Sequence, residues 1–161
     1  MSVSVALIVG VIVGVVITAL AVVGFMRSKM IVPHRSARTF EDTCAAIERV
    51  VPAADGWSFP MPSFDMYAKL AEKDQAPAGM RRNRLFFVCK PGVANRVLSD
   101  TPKIAAMMPC SWAVYELEDG SVWLATMNIG MMSKMFAGEV AAGMGEVAAA
   151  DEKFLPEILG R

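Results

Sequence analysis

No Asp, Glu, Lys, Arg or His occurs among the first 26 residues of this 161-residue chain. All 16 basic and 16 acidic side chains fall in residues 27–161. The overall hydrophobic content of 55% is high for a soluble protein, and the excess comes from that uncharged start. What remains is long enough for one compact domain and too short for two. The net charge is zero, which gives no footprint for nucleic acid as a main partner.

Other absences narrow the chemistry. There is one histidine and there are three cysteines, Cys44, Cys89 and Cys110. The cysteines are widely spaced, with no C-x-x-C, no zinc spacing and no dense disulfide framework. A sparse, odd count fits a reducing compartment. No P-loop, H-E-x-x-H or G-x-S-x-G occurs. Gly143-x-Gly145 does not follow a strand of a βαβ unit, so it is no dinucleotide fingerprint. A Ser-His-Asp triad would have to use His34, beside the apolar segment. No catalytic residue is assigned, and the chain reads as a non-enzyme. Internal repeats and low-complexity tracts are also missing.

The uncharged segment itself, residues 3–26, is long enough for a bilayer-spanning helix, which needs about 20 apolar residues. A signal peptide would carry a basic n-region, a shorter apolar core and a small-residue cleavage site. The run is longer and no Lys or Arg precedes it, so an uncleaved single-pass anchor is expected. Arg27, Lys29, Arg35 and Arg38 follow it closely, with no acid before Glu41. The positive-inside rule then places the domain on the cytoplasmic side of a bacterial inner membrane. Ala6, Gly10, Gly14 and Thr18 repeat at a spacing of four, a small-xxx-small ridge that suits close approach of another helix. The partner expected there is a second copy or a different membrane subunit. Division of the chain at residues 1–29 and 30–161 follows.

The domain reads as α+β, with an antiparallel or mixed sheet packed by helices. Met30-Ile-Val-Pro-His34 suits a first strand. Thr39 begins a helix, with Asp42 at the capping-box position and Phe40, Cys44, Ile47 and Val51 at helical spacing. Prolines keep Gly56-Trp-Ser-Phe-Pro-Met-Pro62 extended. Ser63 is expected to cap a helix over residues 64–73, followed by a polar loop over residues 74–83. Residues 85–89 form an apolar run, the mark of a buried strand, and Pro91 opens the next helix. Residues 112–117, Asp119-Gly120 and residues 122–127 predict a β-hairpin. Met132, Phe136, Val140 and Val147 predict one helical face. A separate last helix is expected over residues 151–159.

Two cysteines carry the most specific chemical expectation. Cys89 closes the apolar run and precedes Lys90-Pro91; a helix start and an adjacent lysine both lower a thiol pKa. Cys110 ends Met107-Met108-Pro109-Cys110, just before the hairpin. If their strands are neighbours, Cys89, Cys110 and Met107 or Met108 form a candidate soft-metal, haem-linked or redox site. The competing reading is that free cysteines are small buried hydrophobes. No cofactor is identified. Thirteen methionines evoke copper handling or a haem ligand, but Met131, Met132, Met135 and Met144 follow helical spacing and suit a core. Arg81, Arg82 and Arg84 form a basic cluster, a candidate contact for anionic lipid or an acidic partner, as are Arg27 and Lys29 at the anchor's foot.

Three phrases then carry a family likeness: Thr39-Phe-Glu-Asp-Thr43, Phe87-Val-Cys-Lys-Pro91, and Met107-Met-Pro-Cys-Ser-Trp-Ala-Val-Tyr-Glu116 with Asp119-Gly120. In order and spacing they resemble the domain-of-unknown-function 302 family over about residues 32–159. The resemblance implies a small bacterial or archaeal α+β domain with no established activity. It supplies no catalytic residues. Cys89-Lys-Pro91 stands where many relatives carry Cys-Asn-Pro. The apolar helix lies outside the family domain. The expected role is a non-catalytic accessory subunit of a membrane complex; the alternative is a thiol-redox or metal module using Cys89 and Cys110.

Overall fold

The computed structural model describes the backbone of residues 3–161 and the side chains of Leu7 and residues 10–161. Helix α1 runs Val3–Lys29. Within it, Gly10–Lys29 has a mean hydropathy of 2.2 and no part of that stretch is buried by the rest of the chain. Apart from the adjoining residues and the helix's own nearby backbone, no described atom stands within 4 Å of where a β-carbon at Gly10 or Gly14 would be. Thr18 Oγ1 donates to the Gly14 carbonyl at 2.8 Å, so its hydroxyl is satisfied inside the helix. Ala6, the first residue of the expected ridge, lies outside the residues whose side chains are described.

The domain is a five-stranded, wholly antiparallel sheet of order β1-β5-β4-β3-β2, with β1 Ile31–Arg35, β2 Phe64–Asp65, β3 Met80–Val88, β4 Cys110–Leu117 and β5 Val122–Met127. Its helices are α2 Phe40–Ala53, α3 Met66–Ala71, α4 Pro91–Asp100, α5 Ile129–Ser133 and α6 Gly138–Leu159, with a 3-10 turn at Pro102–Met107. Phe86, Val88, Trp112, Val114, Val122 and Leu124 are all buried, two residues apart along their strands. This period of two builds one apolar sheet face. That face meets the apolar stripes of α2 (Phe40, Cys44, Ile47, Val51) and α6 (Phe154, Ile158, Leu159) in a single core. Phe154 is the hinge of the packing: its ring stands edge-on to Trp57 at 5.3 Å and to Trp112 at 6.4 Å. A side chain of that size buried fully contributes about 1.5–3 kcal/mol relative to exposure.

Local chemistry explains the element ends. Thr39 Oγ1 accepts from the Asp42 amide at 3.1 Å and donates to Asp42 Oδ2 at 2.8 Å, capping α2. The β4–β5 connection is a three-residue loop with Gly120 at φ 79°, the left-handed position that such a loop reserves for glycine.

Four sequence expectations change. Ser63 does not cap the second helix: residues 64–65 pair with β3, and Asp65 Oδ1 caps α3 by accepting from Ala68 N at 2.8 Å. The expected loop over residues 74–83 ends early, because β3 begins at Met80. Its arginines sit on a strand paired to β4, not in a turn. The stripe from Met132 to Val147 is broken between α5 and α6, where Phe136 is exposed and Gly138 takes φ 60°. The expected separate helix over residues 151–159 is instead the second half of continuous α6.

Register fixes which groups share an end of the sheet. Ile31 pairs with Met127 and Val88 with Cys110, while Met80 pairs with Leu117. Because Ala113 also pairs with Ala125, the Cys110 end is the end from which α1 departs. The arginines of β3 approach the opposite end.

Candidate functional site

Cys89 and Cys110 stand at the same end of neighbouring strands. Cys110 is paired with Val88, and Cys89 follows directly, held to Ser58 by two backbone hydrogen bonds of 2.9 and 3.0 Å. Both thiols and Met108 line one cavity of about 30 Å³. That is room for about one water molecule. Met107 faces a separate apolar cavity with Cys110, between α4 and α6. Burial pushes the Cys110 thiol up to about 11, with the Asp151 carboxylate and Cys89 adding to the rise. The Cys89 thiol is also raised, by burial. The sequence led to the expectation that the start of α4 and Lys90 lower the Cys89 pKa; burial raises it instead. Cys44 is a buried core residue with its thiol pushed up to about 11, again by burial first. Among the described residues, no three of His, Cys, Asp and Glu converge as metal ligands.

The basic cluster is engaged within the fold. Arg82 pairs with Glu41 and, at 3.4 Å, with Glu116; Arg81 lies 3.5 Å from Glu116. The Arg82 and Arg84 guanidinium groups lie 5.3 and 6.0 Å from the Phe40 ring centre. Each exposed pair of this kind adds little stability, about 0–1 kcal/mol.

A different group of residues has the features of a binding site, and only His34 among them stood out in the sequence. Val32, His34 and Thr126 lie on the helix-covered face of β1 and β5. His34 Nε2 stands 3.3 Å from Thr126 Oγ1. Helix α6 crosses over them and brings Asp151 and Glu152 to the same cavity, of about 160 Å³. Asn128 borders it too, its side chain accepting from Met131 N at 2.9 Å to cap α5. Asp151 is only 8% exposed, and its Oδ1 has no hydrogen-bond partner. An unsatisfied buried acceptor costs about 1–3 kcal/mol. Burial pushes the Asp151 carboxyl up to about 7. His34 moves the other way: burial, helped by the positive charge of Arg161, lowers it. Burial therefore shifts this acid up and this base down, each toward its uncharged form.

Sequence reasoning missed Asp151, Thr126 and Asn128. One signal was available for Asp151: with Val147, Phe154 and Ile158 it occupies the buried stripe of α6. An acid on an apolar stripe must be paired, protonated or used.

The comparisons bear on the domain as a whole. A family described as "Domain of unknown function DUF302" matches residues 32–159. A solved structure, the crystal structure of an uncharacterized conserved DUF302 protein from Bacillus stearothermophilus, is similar at 23% identity with a TM-score of 0.62. The likeness covers 81% of this chain and 96% of that one. At that identity it is a likeness of fold. No curated protein matches the chain.

Proposed function

The chain belongs to the DUF302 family, and from that premise we propose that this member is a membrane-anchored, non-catalytic accessory subunit. In this reading α1 crosses the bilayer, its ridge packs against a neighbouring helix, and the domain stands on the cytoplasmic face. One observation carries it: a 27-residue helix whose stretch Gly10–Lys29 is apolar and nowhere buried among the described residues. Such a surface is stable in lipid or against another helix and unfavourable in water. Arg27 and Lys29 close its last turn and suit the headgroup layer. The small residues at positions 10, 14 and 18 suit close helix contact. The test is to solubilise the full-length chain from its native membrane in mild detergent and purify it by a tag. A stoichiometric co-purifying membrane subunit is expected; a lone monomer overturns the reading.

A thiol-redox reading has one observation in its favour, the shared cavity of Cys89, Cys110 and Met108. It predicts a reversible disulfide between the two cysteines, detected by mass spectrometry after mild oxidation. Raised thiol pKa values weigh against it, because the thiolate is the reactive form.

A further inference from the structure

We propose that the cavity between β1, β5 and α6 binds a small primary ammonium compound, with the Asp151 carboxylate as its counterion. The inference does not rest on the accessory-subunit reading. It begins from the donor and acceptor inventory of the walls. Asp151 and Glu152 are acids; Thr126 and His34 offer further acceptors; no Lys or Arg lines the cavity. The missing partner is thus a donor, preferably a cation. Asp151 borders the cavity, is more than nine-tenths buried, and has an oxygen, Oδ1, with no partner among the described residues. An ammonium bound there supplies three N–H donors and the opposite charge.

The walls also select size and class. Val32, Ile129 and Leu155 give an apolar side suited to a short alkyl chain. A volume of about 160 Å³ corresponds to roughly five water molecules, so the ligand has on the order of five heavy atoms. Drug-sized ligands need about 300 Å³ or more. A divalent metal does not suit the site, since among the described residues no three His, Cys, Asp or Glu side chains converge there. The cavity lies at the end of the sheet where β1 follows α1. The same ammonium could therefore come from a free amine or from an ethanolamine lipid headgroup.

The test uses the full-length chain in an uncharged detergent, titrated by calorimetry at pH 8 with ethylammonium chloride and, in parallel, with ethanol as the neutral counterpart. Saturable millimolar binding of ethylammonium is expected, with at least tenfold weaker binding of ethanol. The same loss is expected for Asp151→Asn. In bilayer discs, replacing part of the phosphatidylcholine by phosphatidylethanolamine separates the two sources: competition with ethylammonium identifies a headgroup, and undiminished binding identifies a free amine. A second readout does not depend on any variant. The carbon-13 signal of the Asp151 carboxyl, followed against pH, is expected to titrate at lower pH when ethylammonium saturates the site. The titratable groups around it are His34 from β1, Cys110 from β4 and Glu152 on its own helix; β5 and α5 bring none to the cavity. An unmoved titration, equal affinity for ethanol, or no saturation by about 100 mM overturns the proposal.

Discussion

Gly143 of α6 presses its backbone against Val97 of α4. A β-carbon at Gly143 would stand 2.5 Å from Val97 Cγ2 and 3.0 Å from Val93 Cγ1. The two helices can approach this closely only because residue 143 has no side chain. Two residues along, Gly145 has open space where its β-carbon would be. Gly143→Ala is therefore expected to lower stability by about 1–3 kcal/mol through overpacking. Gly145→Ala is expected to raise it by about 0.5–1 kcal/mol, because alanine favours the helix. Urea unfolding of both variants in detergent gives the comparison. Equal signs would refute the close-packing account.

Asp151 makes stability depend on pH in a definite direction. Its folded pKa of about 7 lies above the ordinary value of 3.8, so the folded state binds more protons than the unfolded state between those values. Stability then falls as pH rises through that window, and the contribution is gone above about 7. His34 opposes this below its ordinary value of 6.5, because its folded pKa is lowered and protonation favours the unfolded chain. The difference between wild type and Asp151→Asn isolates the first effect. Denaturation midpoints at pH 5, 6, 7 and 8 should show the wild type losing ground to Asp151→Asn, with a slope approaching one proton.

The thiols are expected to be slow nucleophiles. Cys110 and Cys44, each pushed up to about 11, hold little thiolate at neutral pH. Iodoacetamide labelling at pH 7.5, read by peptide mass spectrometry, should leave Cys44 and Cys110 largely unmodified in the folded protein. All three cysteines should label readily in urea. Rapid native labelling of Cys110 contradicts the burial argument.

The anchor reading makes a prediction about Gly10 and Gly14. Gly10→Leu with Gly14→Leu replaces two small residues of the ridge by bulky ones without altering the hydrophobic length of α1. Membrane insertion should persist while recovery of a co-purifying partner falls several-fold. Insertion and co-purification, assayed on the same sample by carbonate extraction and affinity capture, distinguish the two effects.

Much of the fold was legible where a local rule and the core agreed. Thr39 before an apolar period of helical spacing marked α2, and Asp119-Gly120 between alternating residues marked the β4–β5 hairpin. The errors came where a tertiary partner overrode local chemistry. Arg81-Arg82-Asn83-Arg84 has the polarity of a loop, yet Glu116, Glu41 and the Phe40 ring receive the arginines and β4 pairs the backbone. Cys89 next to Lys90 suggested an acidic thiol, but local charges count for less than removal from water.

By itself the sequence determined that one long uncharged helix precedes a single α+β domain, because charge content and apolar periodicity are local properties. It also held the residues of the cavity, scattered at positions 34, 126, 128 and 151. Only the tertiary structure decided that they meet. Antiparallel pairing of β1 with β5 brings His34 beside Thr126, and the crossing of α6 sets Asp151 over both, mostly buried and with no Lys or Arg among the described cavity walls. That juxtaposition depends on strand register and helix packing over more than a hundred residues of separation, which no local pattern encodes.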